Sequence, residues 1–246
     1  MELSGHLALI TGAGQGIGRA CAEVFALKGA DLILLDKNPT ALSEVADQTS
    51  RSGRQVFART MDLTDISALK KAVKEVKSKG RIDILVNNAG FDRPGTVTKI
   101  DTGDFLEVLG IHLVVPFTLI QLLLPDMRKA GWGRIINVSS IYGQIGAKGE
   151  VAYSTAKAGV IGLTKSVAKE AGSDGVTVNV VLPGMTRTPT IEKFMADQYK
   201  QPILDNTALG RMGEAEEIAS VIAFLASDEA SYITGAPIPV SGGWGI

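Results

Sequence analysis

Short, mostly apolar runs alternate with longer stretches whose apolar residues recur every three or four positions, and the alternation continues along the whole chain. The runs at 7–10, 32–35, 55–61, 82–86, 134–139, 176–181 and 237–240 predict seven strands, most of them buried on both faces. Between them, Ile17, Ala20, Cys21, Val24 and Phe25 fall on one helical face, as do Ile66, Leu69, Val73 and Val76, and later Ala156, Val160, Leu163, Val167 and Ala171. Asn38-Pro39 caps a helix ending near Gly53, and another covers 214–226. The stretch 102–127 is helical by its period, but Pro116 removes a backbone donor there and predicts a kink. Its most apolar part, 111–125, is short for a bilayer and carries Pro116, Thr118 and Gln121, so it is expected to be a buried helix. Strands and helices in strict alternation imply an α/β chain: a single-domain, Rossmann-type, doubly wound and mainly parallel seven-stranded sheet with helices on both faces. Residues 1–246 form one domain, in which the irregular segment 185–213, with Pro189 and Pro202, is expected to be a substrate or lid loop.

Three places in this pattern carry chemistry. The turn Thr11-Gly12-Ala13-Gly14-Gln15-Gly16-Ile17-Gly18 joins the first strand to the first helix, where bare backbone N–H groups and the positive helix end suit a pyrophosphate. Asp36 closes the second strand at the spacing expected of a ribose-binding carboxylate, which favours NAD and repels the extra phosphate of NADP; the adjoining Lys37 blunts that preference. Asp62, ending the third strand, is placed to bond an adenine amino group or else to cap the next helix, and Asn87-Asn88-Ala89-Gly90 after the fourth strand suits close contact with a ribose. The third place is chemical. Tyr153 and Lys157 stand four apart at the opening of a helix and share a face. A lysine ammonium about 4 Å from a phenol, at an effective dielectric of roughly 20, favours the phenolate by about 4 kcal/mol. That is enough to bring a phenol from near pH 10 towards 7, where acid–base catalysis works best. Ser140, ending the fifth strand, is placed to hold a substrate oxygen while Tyr153 moves its proton.

Composition narrows the partners. Hydrophobic residues at 45% and charged residues at 21% support a large core, and a net charge of −1 with acids and bases interspersed offers no footprint for nucleic acid or an anionic membrane. Cys21 sits on a predicted core face, and His6 and His112 are the only histidines, so no metal site is expected. The first residues lack the basic and apolar regions of a signal peptide, which predicts a cytoplasmic protein.

Over almost its whole length the chain resembles the short-chain dehydrogenase/reductase family. The matching pieces are Thr11-Gly12 through Gly16-Ile17-Gly18, Asp62, Asn87-Asn88-Ala89-Gly90, Ser140, Tyr153-Ser154-Thr155-Ala156-Lys157, Pro183-Gly184 with Thr188, and Gly235 to Gly243. The resemblance implies that Tyr153 is the acid/base, that Lys157 lowers its pKa and bonds the nicotinamide ribose, that Ser140 orients the substrate oxygen, and that Thr188 holds the carboxamide. The cofactor set it implies is Gly12, Gln15, Gly16, Ile17, Gly18, Asp36, Asp62, Leu63, Asn88, Ala89, Gly90, Tyr153, Lys157, Pro183, Gly184, Thr186 and Thr188. Substrate contacts are expected from Ser140, Tyr142, Gln144 and Tyr153, with Phe91, Arg93 and Arg187 nearby. One position departs from the family: His112 stands where relatives carry an asparagine, and a part in proton relay is expected of it. The expected activity is NAD-dependent hydride transfer between the nicotinamide and a secondary alcohol or ketone. Its alternatives are a 3-oxoacyl-thioester reductase using NADPH and a catalytically silent NAD sensor. Relatives are usually tetramers, so a homo-oligomer is expected, with Ser154, Ala158 and Gly162 permitting close helix packing.

Overall fold

The computed structural model describes residues 1–245, apart from the side chain of Phe194. In chain order it runs β1 (Leu7–Thr11), α1 (Gly16–Leu27), β2 (Asp31–Asp36), α2 (Pro39–Ser50), β3 (Val56–Thr60), α3 (Ile66–Val76) and β4 (Ile84–Asn87). Next come α4 (Thr102–Leu109), a π turn over Gly110–Val114, α5 (Val115–Ala130), β5 (Gly133–Val138), the short α6 (Tyr142–Ile145), α7 (Val151–Ala171) and β6 (Val176–Pro183). The final part holds β7 (Thr186–Arg187), α8 (Pro189–Phe194), α9 (Asp197–Asp205), β8 (Gly213–Glu214), α10 (Ala215–Leu225) and β9 (Pro237–Val240).

Seven strands form one parallel sheet in the order β3-β2-β1-β4-β5-β6-β9, which confirms the doubly wound architecture. Alternate side chains of the central strands feed the two largest cores. Ala8, Ile10, Leu32, Leu34 and Val86 pack against Cys21 and Phe25 of α1, Val45 of α2 and Ile222 of α10. Leu7, Leu9, Ile33, Leu85 and Ile135 face the other way, against Val73 of α3, Leu119 and Leu123 of α5 and Val167 of α7. The chain leaves β1 in one direction and β4 in the other, so the carboxyl ends of these neighbouring strands open into a crevice, the usual ligand position in such sheets.

Three local features were not legible in the periodicity. The irregularity expected at Pro116 is realised one turn earlier, as the π turn around His112; the widened turn precedes the residue whose ring cannot tolerate a regular α-helical partner. The α4–π–α5 rod, Thr102–Ala130, is long and apolar enough to cross a membrane, longer than the run judged from sequence, but over half of its apolar window is buried inside the molecule. The segment 185–213 is not merely irregular: it holds two short helices and is clasped at its base by the parallel β7–β8 pair.

At the sheet edge, β9 points the backbone of Ala236 and Val240 towards β6, where their carbonyls accept from Val180 and Gly184. In strand alternation Pro237 and Pro239 therefore turn outward, the one side of an edge strand where a missing N–H is harmless.

Candidate active site

At the crevice, the glycine turn is fitted so closely that side chains would fill it. A Cβ on Gly18 would lie 2.0 Å from the Gly12 carbonyl oxygen, and one on Gly14 would lie 3.0 Å from the Asp36 carboxylate. Gly16 has φ of +54°, and its bare face lies against the Thr188 methyl group. Such a cradle of backbone N–H groups at the start of α1 fits a dinucleotide pyrophosphate. Asp36 is fixed at its lip: one oxygen accepts from the Gly14 N–H at 2.8 Å and the other from the Asn38 N–H at 2.9 Å. Thr11 and Asn88 lace β1 to β4, with the Thr11 hydroxyl accepting from the N–H groups of Asn88 and Ala89, and the Asn88 amide donating to the carbonyls of Thr11 and Gly12. The Asn88 amide nitrogen is thus committed to holding the turn, a structural task not foreseen from its motif. Asp62 is not the cap of α3; Asp65 is, accepting from the Ala68 N–H. Asp62 instead accepts from the Thr64 N–H and hydroxyl, and these bonds hold its carboxyl below the usual range beside the buried Leu63.

Across the crevice, α8 closes over the turn. Thr188 caps it by accepting from the Ile191 N–H, and the Gln15 amide reaches Thr190 at 3.4 Å. Pro183-Gly184 brings this segment off β6; a Cβ on Gly184 would lie 2.7 Å from the Ser241 Cα, and the buried Thr186 donates back to the Gly184 carbonyl.

The chemical residues meet where β5 ends. Ser139 and Ser140 leave the strand as α7 passes, and Ser139 donates to the Lys157 carbonyl at 2.8 Å, tying helix to strand. Gly143 lets α6 settle onto α7, since a Cβ there would lie 2.7 Å from the Lys157 carbonyl carbon. The Ser140 hydroxyl stands near the Tyr153 phenol, close enough to draw its pKa down, while accepting from the Tyr142 N–H. The Lys157 amine is buried, donates to the Val138 carbonyl at 2.7 Å and lies 5.4 Å from the centre of the Tyr153 ring. The expected effect on Tyr153 is not what the polypeptide alone produces. Burial pushes the Tyr153 phenol far above its ordinary value, opposed by the Ser140 hydroxyl and reinforced by the charges of Asp92 and Glu150. Burial also pulls the Lys157 amine down to about 7, which weakens the cation meant to stabilise the phenolate. Desolvation of the pair outweighs its mutual attraction.

His112, on the π turn, stands edge-on to Tyr153, with ring centroids 5.2 Å apart and planes at 88°. It is buried, and burial together with the Lys157 charge holds it neutral, well below the usual histidine range.

Two further groups line the approach. Glu150 is half-buried with Asp92 as its acidic neighbour, and burial followed by that neighbour raises the Glu150 carboxyl to about 8; the loops carrying them are pinned by the Gly95 N–H to the Gly149 carbonyl at 2.7 Å. Trp244 meets Tyr142 edge-on at 5.1 Å, forming an aromatic wall with it, while Gln144 is exposed on α6. Glu150 was findable, three residues before Tyr153; Trp244 was not, because nothing local links it to Tyr142. Arg93 is engaged by Asp104 and Glu107 and stacked over Phe91, and Arg187 by Glu192 and Glu214, so neither stands ready for a substrate anion.

The sequence matches the family described as Enoyl-(Acyl carrier protein) reductase over residues 12–245. A 3-oxoacyl-(acyl-carrier-protein) reductase of Thermotoga maritima is 40% identical over 244 residues, 99% of either chain. Among solved structures, levodione reductase superposes with a TM-score of 0.94 at 32% identity over 98% of each chain. A Beutenbergia cavernae chain provisionally described as an NAD(P)-dependent gluconate 5-dehydrogenase, with NADP bound at low occupancy, reaches 0.93 at 33% identity, covering 99% of this chain and 98% of its own.

Proposed function

Because the chain belongs to the short-chain dehydrogenase/reductase family, and so is an NAD(P)-dependent oxidoreductase acting on CH–OH groups, we propose that it interconverts a secondary alcohol and its ketone with NAD as preferred cofactor. The feature that supports this reading is the gathering of Ser140, Tyr153 and Lys157 where β5 ends, in the same parallel sheet whose β1 leads into the glycine cradle. When bound, the nicotinamide supplies or accepts the hydride. In this reading the N–H groups of Gly12 to Gly18 hold the pyrophosphate and Asp36 accepts from the adenosine ribose. Asp62 and the Leu63 backbone border the adenine; Ala89, Gly90, Pro183, Gly184 and Thr186 line the ribose and ring, and Thr188 holds the carboxamide. Ser140 donates to the substrate oxygen, Tyr153 gives or takes its proton, and Lys157 bonds the nicotinamide ribose. Tyr142 and Gln144 border the substrate. A cytoplasmic homo-oligomer belongs to the same reading.

A second reading, reduction of a 3-oxoacyl thioester with NADPH, is supported by the name of the Thermotoga maritima relative. Asp36 speaks against it, because its carboxylate would face the extra phosphate. A screen of secondary alcohols, ketones and a 3-oxoacyl thioester with both cofactors separates the two. Turnover of simple alcohols or ketones with NAD(H) supports the first; thioester reduction confined to NADPH overturns it. Asp36→Ser is expected to lower the NAD-to-NADP preference in kcat/KM by about tenfold or more, roughly one charge-assisted hydrogen bond.

A further inference from the structure

After β9 the chain turns back towards Ser140. The Gly242 carbonyl accepts from the Leu209 N–H at 2.9 Å, and a Cβ on Gly243 would lie 2.6 Å from the Ala208 Cβ, so the turn rests against the base of the 185–213 segment. A Cβ on Gly245 would lie 2.6 Å from Cγ2 of Ile141, the residue that follows Ser140. Trp244 stands between these two contacts. Its carbonyl accepts from the Ser241 hydroxyl at 2.8 Å, and its side chain packs on the cluster of Ile141, Val160, Val180 and Leu182. The indole meets the Tyr142 ring with centroids 5.1 Å apart and planes at 75°. Tyr142 is bound in turn to Ser140, whose hydroxyl oxygen accepts from the Tyr142 N–H at 3.2 Å.

Both rings are only half-buried, so the corner they form keeps apolar surface open to a ligand. Two flat faces near a right angle suit a planar or cyclic carbon skeleton better than a flexible chain, which must freeze more rotating bonds to lie against them. Charge narrows the class further. Arg93 and Arg187 are engaged by acidic partners, and the acidic neighbours of Tyr153, Asp92 and Glu150, disfavour a substrate anion.

We propose that Trp244, with Tyr142, selects the substrate: an uncharged ketone, or the matching secondary alcohol, that carries a carbocyclic or aromatic ring beside the reacting carbon. The ring packs into the corner of the two aromatic side chains while Ser140 holds the oxygen. This rests on the reading of Ser140 and Tyr153 given above. Trp244 touches the substrate away from the reacting atoms and sets specificity.

Reduction of acetophenone and of 2-octanone, ketones of equal carbon number, tests the selection. The wild type is expected to favour acetophenone in kcat/KM by about tenfold. Trp244→Leu is expected to lose about tenfold on acetophenone, mainly through KM, and less than about twofold on 2-octanone. Trp244→Phe, which keeps a ring, is expected to retain most of the preference. Equal losses on both ketones would mark a merely structural role and overturn the proposal, as would a loss in Trp244→Phe as large as in Trp244→Leu. A wild type that prefers 2-octanone overturns it too, while leaving the oxidoreductase reading standing. Binding can be read without turnover, because Trp132 and Trp244 are the only tryptophans and Trp132 stands apart, stacked on His6. In Trp132→Phe saturated with the oxidised cofactor, acetophenone is expected to quench the remaining emission saturably and 2-octanone to leave it unchanged. Quenching that fails to saturate, or that both ketones share, overturns the proposal. Saturable quenching by acetophenone alone, with no ketone turned over by the wild type with either cofactor, would uphold the ring corner and sink the oxidoreductase reading instead.

Discussion

Lys157 is held in the fold against its own solvation. Its amine is pulled down to about 7 by burial, whereas the unfolded chain holds its proton to near 10.5. Between those values the unfolded state binds more protons, so this group's stabilising contribution is complete above pH 10.5 and is lost as pH falls through 7. Lys157→Met is therefore expected to raise the melting temperature at pH 7 by about 3 °C or more. The gain should shrink at pH 9 and above, while kcat/KM falls by about 10³-fold or more. A melting series from pH 6 to 10 on both proteins checks the sign. Glu150 runs the other way. With its carboxyl raised from 4.5 to about 8, its contribution is present below pH 4.5 and is lost as pH rises through 8. Glu150→Gln is expected to be more stable than the wild type at pH 9 by about 2 °C, with the difference gone at pH 4; an equal difference at both pH values would disprove the carboxyl pairing with Asp92. A residue that destabilises the protein at its working pH is what acid–base chemistry in a dry site requires.

At the scale of elements, the π turn and the loop after β4 are one device. Gly90 is glycine because the His112 ring occupies the place of its Cβ, and the ring is there because the widened turn lifts His112 towards the crevice. Gly90→Ala is expected to destabilise the protein by about 1–3 kcal/mol through overpacking. Combined with His112→Ala, which empties that space, most of this loss should be cancelled, and a double-mutant cycle from denaturant titrations would measure the coupling. Additive losses would mean that the two do not compete for the same volume. This pairing also marks what the sequence could and could not tell. The strand-turn-helix pattern around Gly12 to Gly18, and the four-residue step from Tyr153 to Lys157, are local and were legible in the periodicity. The junction of Gly90 with His112 spans elements far apart in the chain, so composition and spacing held no trace of it. The same holds for Asn87, Asn137 and Thr164, whose side-chain chain of hydrogen bonds runs from β4 through β5 to α7. The direction of the Tyr153 shift was misjudged for a related reason: pairwise attraction can be read from spacing, but depth of burial follows from the finished packing.

For the whole molecule, the order of the strands brings the glycine turn after β1, the Asn88–Gly90 loop after β4 and Ser140 after β5 to the carboxyl ends of neighbouring strands. The helical flank beside them carries Leu106, Val114 and Phe117 exposed along the α4–π–α5 rod, an apolar surface poorly suited to water. With Ala158 and Gly162 exposed on the neighbouring α7, it is the face on which a homo-oligomer is expected to form. Phe117→Glu should yield a species of lower mass in light scattering after size exclusion. An unchanged mass would move the interface elsewhere or show the chain to be a monomer.

The outward-turned Pro237 and Pro239 bear on what the protein does at high concentration. That rim of the sheet presents oxygens but lacks donors at both positions, so a strand from another molecule arriving there finds no ladder to zip. Crowded copies are thereby denied the cheapest route from sheet to fibril along this border, and the chain keeps a fully parallel, intrinsically slow-folding architecture without leaving its last strand adhesive.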